Sequence, residues 1–438
     1  MPTSTSEAVR VAVLADSDTR WKWGALTARR IAPSTSVELS GFLLRGRATP
    51  TARQLAEVGV RADDLREVTG NGFLRAMKEE PYDVVVLALV GGGVQAMLHG
   101  LAALGLERRP VVVTGYVGVV YEKLSDGLLL RHGADVVLAN SRHDADRFRA
   151  VYEGVGADAG AVTEAALPFL GGAPHRAEDG RDTVVFAVQP SVPESRADRT
   201  YLLRRLVEHA RLHPRREVLL KLRSKPGEHT THLEEIPYQK LADKLPGGLP
   251  PNFRLVYGHM GEVLDRTDLL VTVSSTAALE ALHRRIPTAV LTDLGVREAL
   301  GNHHFLGSGL LASWDQLDGG HRPTPDSDWL SRQGVAADGS YDSAFEEART
   351  RVAELLLGPA LPPLAPYYTP TTAPGYLPAL LARHHLAPDG TPLAGVAPKA
   401  EVTGVRRVVR DAVREAARGA YRHGVQRVAP VIRRMGEL

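Results

Sequence analysis

Val9–Gly24 reads VRVAVLADSDTRWKWG. An apolar, β-branched run from Val9 to Ala15 ends in two aspartates, Asp16 and Asp18, and a helical pattern follows at once over Arg20–Ile31. A buried strand that turns directly into an amphipathic helix is the opening unit of a parallel α/β sheet.

The same rhythm repeats outward from that unit. Further strands are expected at Ser36–Phe42, Asp83–Leu89, Pro110–Thr114 and Asp135–Ala139, with a helix at Val94–Leu104 between two of them. GGAPHRAEDGRD, Gly171–Asp182, is dense in glycine, proline and charge and reads as a linker. The alternation then restarts. Strands are expected at Thr183–Val188, Glu217–Leu222, Phe253–Val256, Leu269–Val273 and Thr288–Leu291, and helices at Arg199–Leu212, Leu233–Lys244 and Ala277–Arg285. The fold class is therefore α/β, with two Rossmann-like doubly wound domains facing a central cleft. The expected limits are 1–175 and 182–358, then a proline-rich connector over 359–400 and a basic amphipathic helix over 401–438.

Composition agrees with that plan. A chain of 438 residues is too long for one ordinary core. Apolar residues make up 44% and charged residues 24%, the balance of a globular protein. The absence of cysteine excludes disulfides, thiolate metal sites and thiol nucleophiles. A net charge of +2 gives no general footprint for nucleic acid. The N-terminus lacks the pattern of a secretory signal, and no stretch reaches bilayer-spanning length. The expected compartment is the cytoplasm. The tail carries Val402, Val405, Val409, Val413, Ala416 and Ala420 on one face and Arg406, Arg407, Arg410, Arg414, Arg418 and Arg422 on another. That pattern suits the inner face of an anionic membrane.

In doubly wound sheets ligands sit beyond the carboxyl ends of the strands, so the residues just after each strand are the candidates. Asp16 and Asp18 are candidate general bases for deprotonating a hydroxyl. Arg20, Trp21 and Lys22 are candidate acceptor contacts; helix capping by Asp18 and packing of Trp21 and Trp23 is the plainer account. VTVSSTAALEAL, Val271–Leu282, runs a buried strand into Ser274, Ser275 and Thr276 at a helix start, an arrangement suited to phosphate. Ordinary N-capping needs only one of those hydroxyls. Lys221 and Arg223 alternate at the end of another strand, where cations neutralise a leaving phosphate. Gln189 ends the first strand of the second half, and Glu280 lies one turn into the helix after the serines, placed for a ribose. Gly91–Gly93 does not fit GxGxxG and suggests only close backbone approach. Paired His303 and His304 lack a third ligand pattern, and no metal ligand set is expected.

Taken together, ADSDTRWKWG, the Thr114–Gly118 segment, VVFAVQPSVPESRADR, LLKLRSKPGEHTTHLEE, VTVSSTAALEAL and LGNHHFLGSGLL resemble a family of actinobacterial glycosyltransferases over roughly residues 9–360. Two Rossmann-like halves joined by a linker are the GT-B plan, shared with some epimerases. The strand–Ser–Ser–helix element is also similar to the serine motif of bacterial sialyltransferases and polysialyltransferases. In those relatives the serines hold the CMP phosphate and a lysine precedes a His-Pro pair. Here Ser274, Ser275 and Lys221 match, Arg223 and Ser224 stand in place of His-Pro, and the nearest thing to an acidic-acidic-Gly base motif is Ser125-Asp126-Gly127. The resemblance implies a glycosyltransferase with a CMP-activated nonulosonic acid donor of the sialic or Kdn type and a cell-envelope glycan or lipid-linked acceptor. It implies no cofactor and no essential metal, although Asp16-Ser17-Asp18 is formally DxD. A CDP-polyol phosphotransferase of the teichoic-acid type, a sugar-nucleotide epimerase and a non-catalytic scaffold are the competing readings.

Overall fold

The computed structural model describes residues 8–33, 36–119, 124–223, 225, 234, 236–335 and 340–393. The basic tail, 401–438, lies outside the described residues.

Two all-parallel sheets organise the chain. The first contains β1 (Val9–Ala15), β2 (Val37–Leu44), β3 (Asp64–Val68), β4 (Val84–Ala88), β5 (Val111–Gly115), β6 (Val136–Ala139) and β7 (Val162–Glu164), in the order β3-β2-β1-β4-β5-β6-β7. The second contains β8 (Thr183–Ala187), β9 (Glu217–Lys221), β10 (Phe253–Val256), β11 (Leu269–Thr272), β12 (Thr288–Leu291) and β13 (Leu311–Ala312), in the order β10-β9-β8-β11-β12-β13. Strand order reverses between β1 and β4 in one sheet and between β8 and β11 in the other, the two topological switch points. The two-domain GT-B fold read from the sequence is the observed one.

Burial explains the strand composition. Every residue of β4, VVVLA, and of β5, VVVTG, is buried, because helices cover both faces. The first helix, Asp18–Ile31, lies unusually close to its sheet because residue 24 is glycine. A Cβ there would stand 2.7 Å from Val13 and 2.9 Å from Ala88. The strands that patterning missed, β3, β7 and β13, are sheet edges or next to them and are short or half-exposed, so they carry no apolar run.

After the second sheet the chain returns to the first. The helix Glu346–Leu357 packs on the helix Asp18–Ile31 and on β5, β6 and β7. Leu364, Leu377, Leu380, Leu381 and Leu386 then join the core under the first sheet. Arg109 anchors this return by donating to the Pro362 carbonyl at 2.9 Å. Two expectations shift locally. The helix expected over Leu233–Lys244 is described only as Tyr238–Ala242, starting after Pro237. Gly91–Gly93 form the first turn of the helix Gly91–Ala103, and the Leu130 side chain covers Gly91. Among the described residues no helix is long and apolar enough to cross a membrane.

Candidate active site

The carboxyl ends of the two sheets face each other, and the residues that leave those ends meet. On the first sheet, β1 delivers Asp16, Ser17 and Asp18 in succession. Ser17, not Asp18, caps the helix: its hydroxyl accepts from the Arg20 N–H at 3.4 Å. That assignment frees the Asp18 carboxylate for the cleft. Asp16 turns sideways across the switch point, where Oδ2 accepts from the Val90 N–H at 3.0 Å and Oδ1 from Arg20 at 2.9 Å. Asp16 and Arg20 are thereby tied to each other and to the start of the next helix.

Asp18 instead reaches the second domain. Its Oδ1 accepts from Arg223 at 3.2 Å and from the Thr19 hydroxyl at 3.2 Å, and Arg223 also donates to Thr19. Lys22, one turn further on, lies 3.9 Å from Glu280 and 4.8 Å above the Phe169 ring. Two ion pairs thus cross the cleft. The two members of the DxD pattern diverge, each onto its own arginine.

The tryptophans do not line the cleft. Trp21, expected at the acceptor, is wholly buried over Gly41, with its N–H donating to the Val60 carbonyl at 3.3 Å. Trp23 is buried against Gly115. Helical spacing turns both toward the sheet with Ala25 and Ala28, so they are core.

The second domain repeats the construction at its own switch point. Gln189, after β8, accepts through Oε1 from the Ser274 N–H at 3.1 Å, after β11. Ser274 is fully buried and its hydroxyl donates to the Leu300 carbonyl at 2.5 Å. The expected phosphate contact from that hydroxyl is therefore corrected: it locks the strand end to the following loop. Ser275 accepts from the Ala277 N–H at 3.2 Å, in the turn ahead of the short helix Ala277–His283. Thr276 faces the first domain, where a Cβ on Gly118 would stand 2.7 Å from its hydroxyl oxygen.

Lys221 is the most perturbed cation of the cleft. It is 6% exposed and donates to the Leu222 carbonyl at 2.7 Å. Burial pushes its ammonium down to about 8; Glu57 and Glu280 oppose the shift and Arg223 and Arg53 add to it. Burial pushes the Glu280 carboxyl up, against the pull of Lys22, Arg284 and Lys221. His259, at the end of the loop after β10, is held low by burial and by Lys22, Arg284 and Lys221. Patterning missed Arg53, Glu57 and His259. Arg53 and Glu57, 2.5 Å apart on one helix, look like any surface pair at that spacing. His259 had one usable signal, its place beyond a strand's carboxyl end.

Two buried groups behind the cleft also carry no motif. The Arg131 guanidinium donates to the carbonyls of Gly115 at 3.0 Å and Gly127 at 2.7 Å and stacks 3.9 Å over Tyr116. Asp144, in the first turn of the helix Arg142–Gly154, is pushed up to about 6 by burial. Among the described residues, His209, His213 and Asp318 are the one imidazole and carboxylate group within metal-ligand reach. His209 already holds Asp318 at 2.5 Å through Nδ1 and Arg216 at 2.9 Å through Nε2.

Residues 11–355 match the family described as "Putative glycosyltransferase (DUF6716)". The chain belongs to this family. This glycosyltransferase shares its fold with S. aureus MnaA, solved with UDP, at 12% identity and a TM-score of 0.51 over 80% of this chain and 96% of that one. The UDP-GlcNAc 2-epimerase of Neisseria meningitidis, solved with UDP-GlcNAc, is 9% identical with a TM-score of 0.49 over 79% of this chain and 100% of that one. The glycosyltransferase SnogD of Streptomyces nogalater is 16% identical with a TM-score of 0.40 over 86% of this chain and 100% of that one. No curated protein matches the chain.

Proposed function

We propose that this glycosyltransferase moves a sugar from a nucleotide donor to an acceptor hydroxyl, with Asp18 as the base. The observation that carries this reading is the Asp18–Arg223 pair, which joins the first domain's cleft-facing carboxylate to the second domain's cation across the cleft. The donor phosphate takes Arg223 and the Lys221 ammonium, whose buried charge it compensates, and so releases Asp18. Asp18 then removes the proton of the acceptor hydroxyl as its oxygen attacks the anomeric carbon. The bond from that carbon to the phosphate oxygen breaks, and the charge left on the nucleotide falls on Arg223, Lys221, Ser275 and Thr276. Glu280 serves the ribose. Asp16 and Arg20 hold the loop that carries Asp18, and Gln189 and Ser274 hold the loop that carries Ser275.

The donor we propose is a CMP-activated nonulosonic acid, on the strand–Ser–Ser–helix likeness; the acceptor is a cell-envelope glycan or lipid-linked precursor, reached at the inner membrane face through 401–438. Commitment of the Ser274 hydroxyl to Leu300 leaves Ser275 as the single serine of that motif for phosphate. The second reading is a UDP-sugar donor, which the solution of MnaA with UDP favours.

Thermal shift with CMP, CDP, UDP, GDP, ADP and TDP, with Mg²⁺ or EDTA, separates these readings, because a ligand of the folded state raises the melting temperature. Stabilisation by CMP that survives EDTA supports the nonulosonate donor. Stabilisation by UDP alone replaces CMP with UDP, and by CDP alone points to a polyol phosphate. No shift with any nucleotide overturns the catalytic reading in favour of a scaffold. Turnover of a donor without acceptor would mark an epimerase.

A further inference from the structure

A second cavity, of about 580 Å³, opens between the domains. One wall is the first two turns of the helix Arg142–Gly154, which leaves the carboxyl end of β6 and contributes His143 and Arg147. The other is the turn Asn302–Phe305 after β12 and the helix Ser327–Arg332, contributing His304, Asp328, Trp329 and Arg332. Its volume suits a small-ligand site of about 300–1,000 Å³.

The lining combines one aromatic plate, neutral imidazoles and guanidiniums. Trp329 is braced by Phe305 at 5.6 Å between ring centres and by His304 at 5.9 Å, and His304 meets His143 at 5.8 Å. Burial and the neighbouring arginines hold both imidazoles low, His304 at about 3, so at neutral pH they are uncharged and each offers one N–H donor and one acceptor nitrogen. Arg147 has Asp144 at 3.7 Å and Arg332 has Asp146 at 3.5 Å.

We propose that this cavity binds an acidic sugar residue of the acceptor, its ring stacked on Trp329 and its carboxylate held by Arg147 and Arg332. His143, His304 and Asp328 then hydrogen-bond the hydroxyls. An aromatic face matches the C–H face of a pyranose, and a planar fork matches a carboxylate. The assignment rests on the glycosyltransferase reading, since it makes this cavity part of the acceptor groove.

Tryptophan fluorescence reads this site almost alone. The chain has four tryptophans, and Trp21, Trp23 and Trp314 are at most 1% exposed. The intact protein is titrated with trigalacturonate and 3′-sialyllactose, with maltotriose and lactose as neutral controls. Saturable quenching by an acidic sugar is expected. The neutral controls, R147Q and R332Q should each bind at least about tenfold more weakly, and W329F should lose the signal. Arg332 and its partner Asp146 are both exposed, so R332Q should melt with the wild type; R147Q removes the cation beside buried Asp144 and should melt lower, so R332Q decides the carboxylate contact. Equal quenching by acidic and neutral sugars, or none by either acidic sugar, overturns the proposal. So does quenching by CMP or UDP in competition with the sugar, which would assign the cavity to the donor. Nucleotide thermal shift is measured on the same samples. If it is absent while acidic sugars quench, the catalytic reading fails and the cavity remains a site for an acidic sugar but not part of an acceptor groove.

Discussion

Replacing Lys221 with methionine should make the ligand-free protein more stable and destroy its response to nucleotide. The lysine sits in the folded state with a pKa of about 8 against 10.5 for the free side chain. At pH 7 its charge therefore costs the folded state about 3 kcal/mol. Methionine fills similar space without charge, and losing the bond to the Leu222 carbonyl offsets about 1 kcal/mol. A net gain of roughly 2 kcal/mol is expected at pH 7. The sign follows from proton binding. Between pH 8 and 10.5 the unfolded chain keeps a proton that the folded lysine has released, so wild-type stability rises with pH across that window. The advantage of K221M should shrink from pH 8, vanish near pH 10 and turn into a deficit of about 1 kcal/mol above about 10.5, where only the lost hydrogen bond remains. Urea unfolding of both proteins at pH 7, 8, 9 and 10 measures the difference, in which the other titrating groups cancel. Nucleotide stabilisation should be present in the wild type and lost in K221M. A variant less stable than wild type at pH 7, or a difference flat across these pH values, refutes the claim that burial strains this cation. Retained nucleotide stabilisation in K221M refutes its place at the phosphate.

Other substitutions test the remaining parts of the site. D18N should lower transfer about 10²- to 10⁴-fold while nucleotide thermal shifts persist, because Arg223 loses only its ion pair; loss of those shifts would make Asp18 a structural residue. S274A should cost about 1–3 kcal/mol in urea unfolding by orphaning the buried Leu300 carbonyl, whereas unchanged stability with lost nucleotide binding would return Ser274 to the phosphate. Asp144, held at about 6 against 3.8 when free, binds its proton more tightly folded than unfolded, so stability falls as pH rises through that window. D144N should therefore be more stable than wild type by up to about 3 kcal/mol at pH 7.5, with the gap narrowing by pH 5. A constant gap across that range would exclude an ionised, buried carboxylate as its cause.

The return of the chain explains why the first domain is not a simple N-terminal half. Residues expected at the end of the second domain, the helix Glu346–Leu357, cover β5, β6 and β7 of the first. Leu364 and Leu377–Leu386 complete the core on its other face. A truncation near residue 340 would therefore expose first-domain core, although it removes sequence that follows the second sheet.

The amino-acid order alone determined the two parallel sheets, because strands buried on both faces must be nearly all apolar and their helices must alternate with them. Strand ends marked Asp18, Lys221, Arg223 and Thr276 as cleft residues for the same reason: in such a sheet the carboxyl ends lead to the ligand side. Direction within those ends was decided only in three dimensions. Asp16 and Asp18 are two residues apart, yet one is spent on Val90 and Arg20 and the other faces Arg223. Ser274 and Ser275 are adjacent, yet one is sealed against Leu300. Trp21 and Lys22 are neighbours on one helix, and the turn between them sends one into the core and the other to Glu280. Pairing across domains, as in Asp18–Arg223, joins residues 205 positions apart, and no local pattern records such a contact. Perturbed groups such as Lys221, Glu280 and Asp144 are likewise products of burial, a property of the assembled fold.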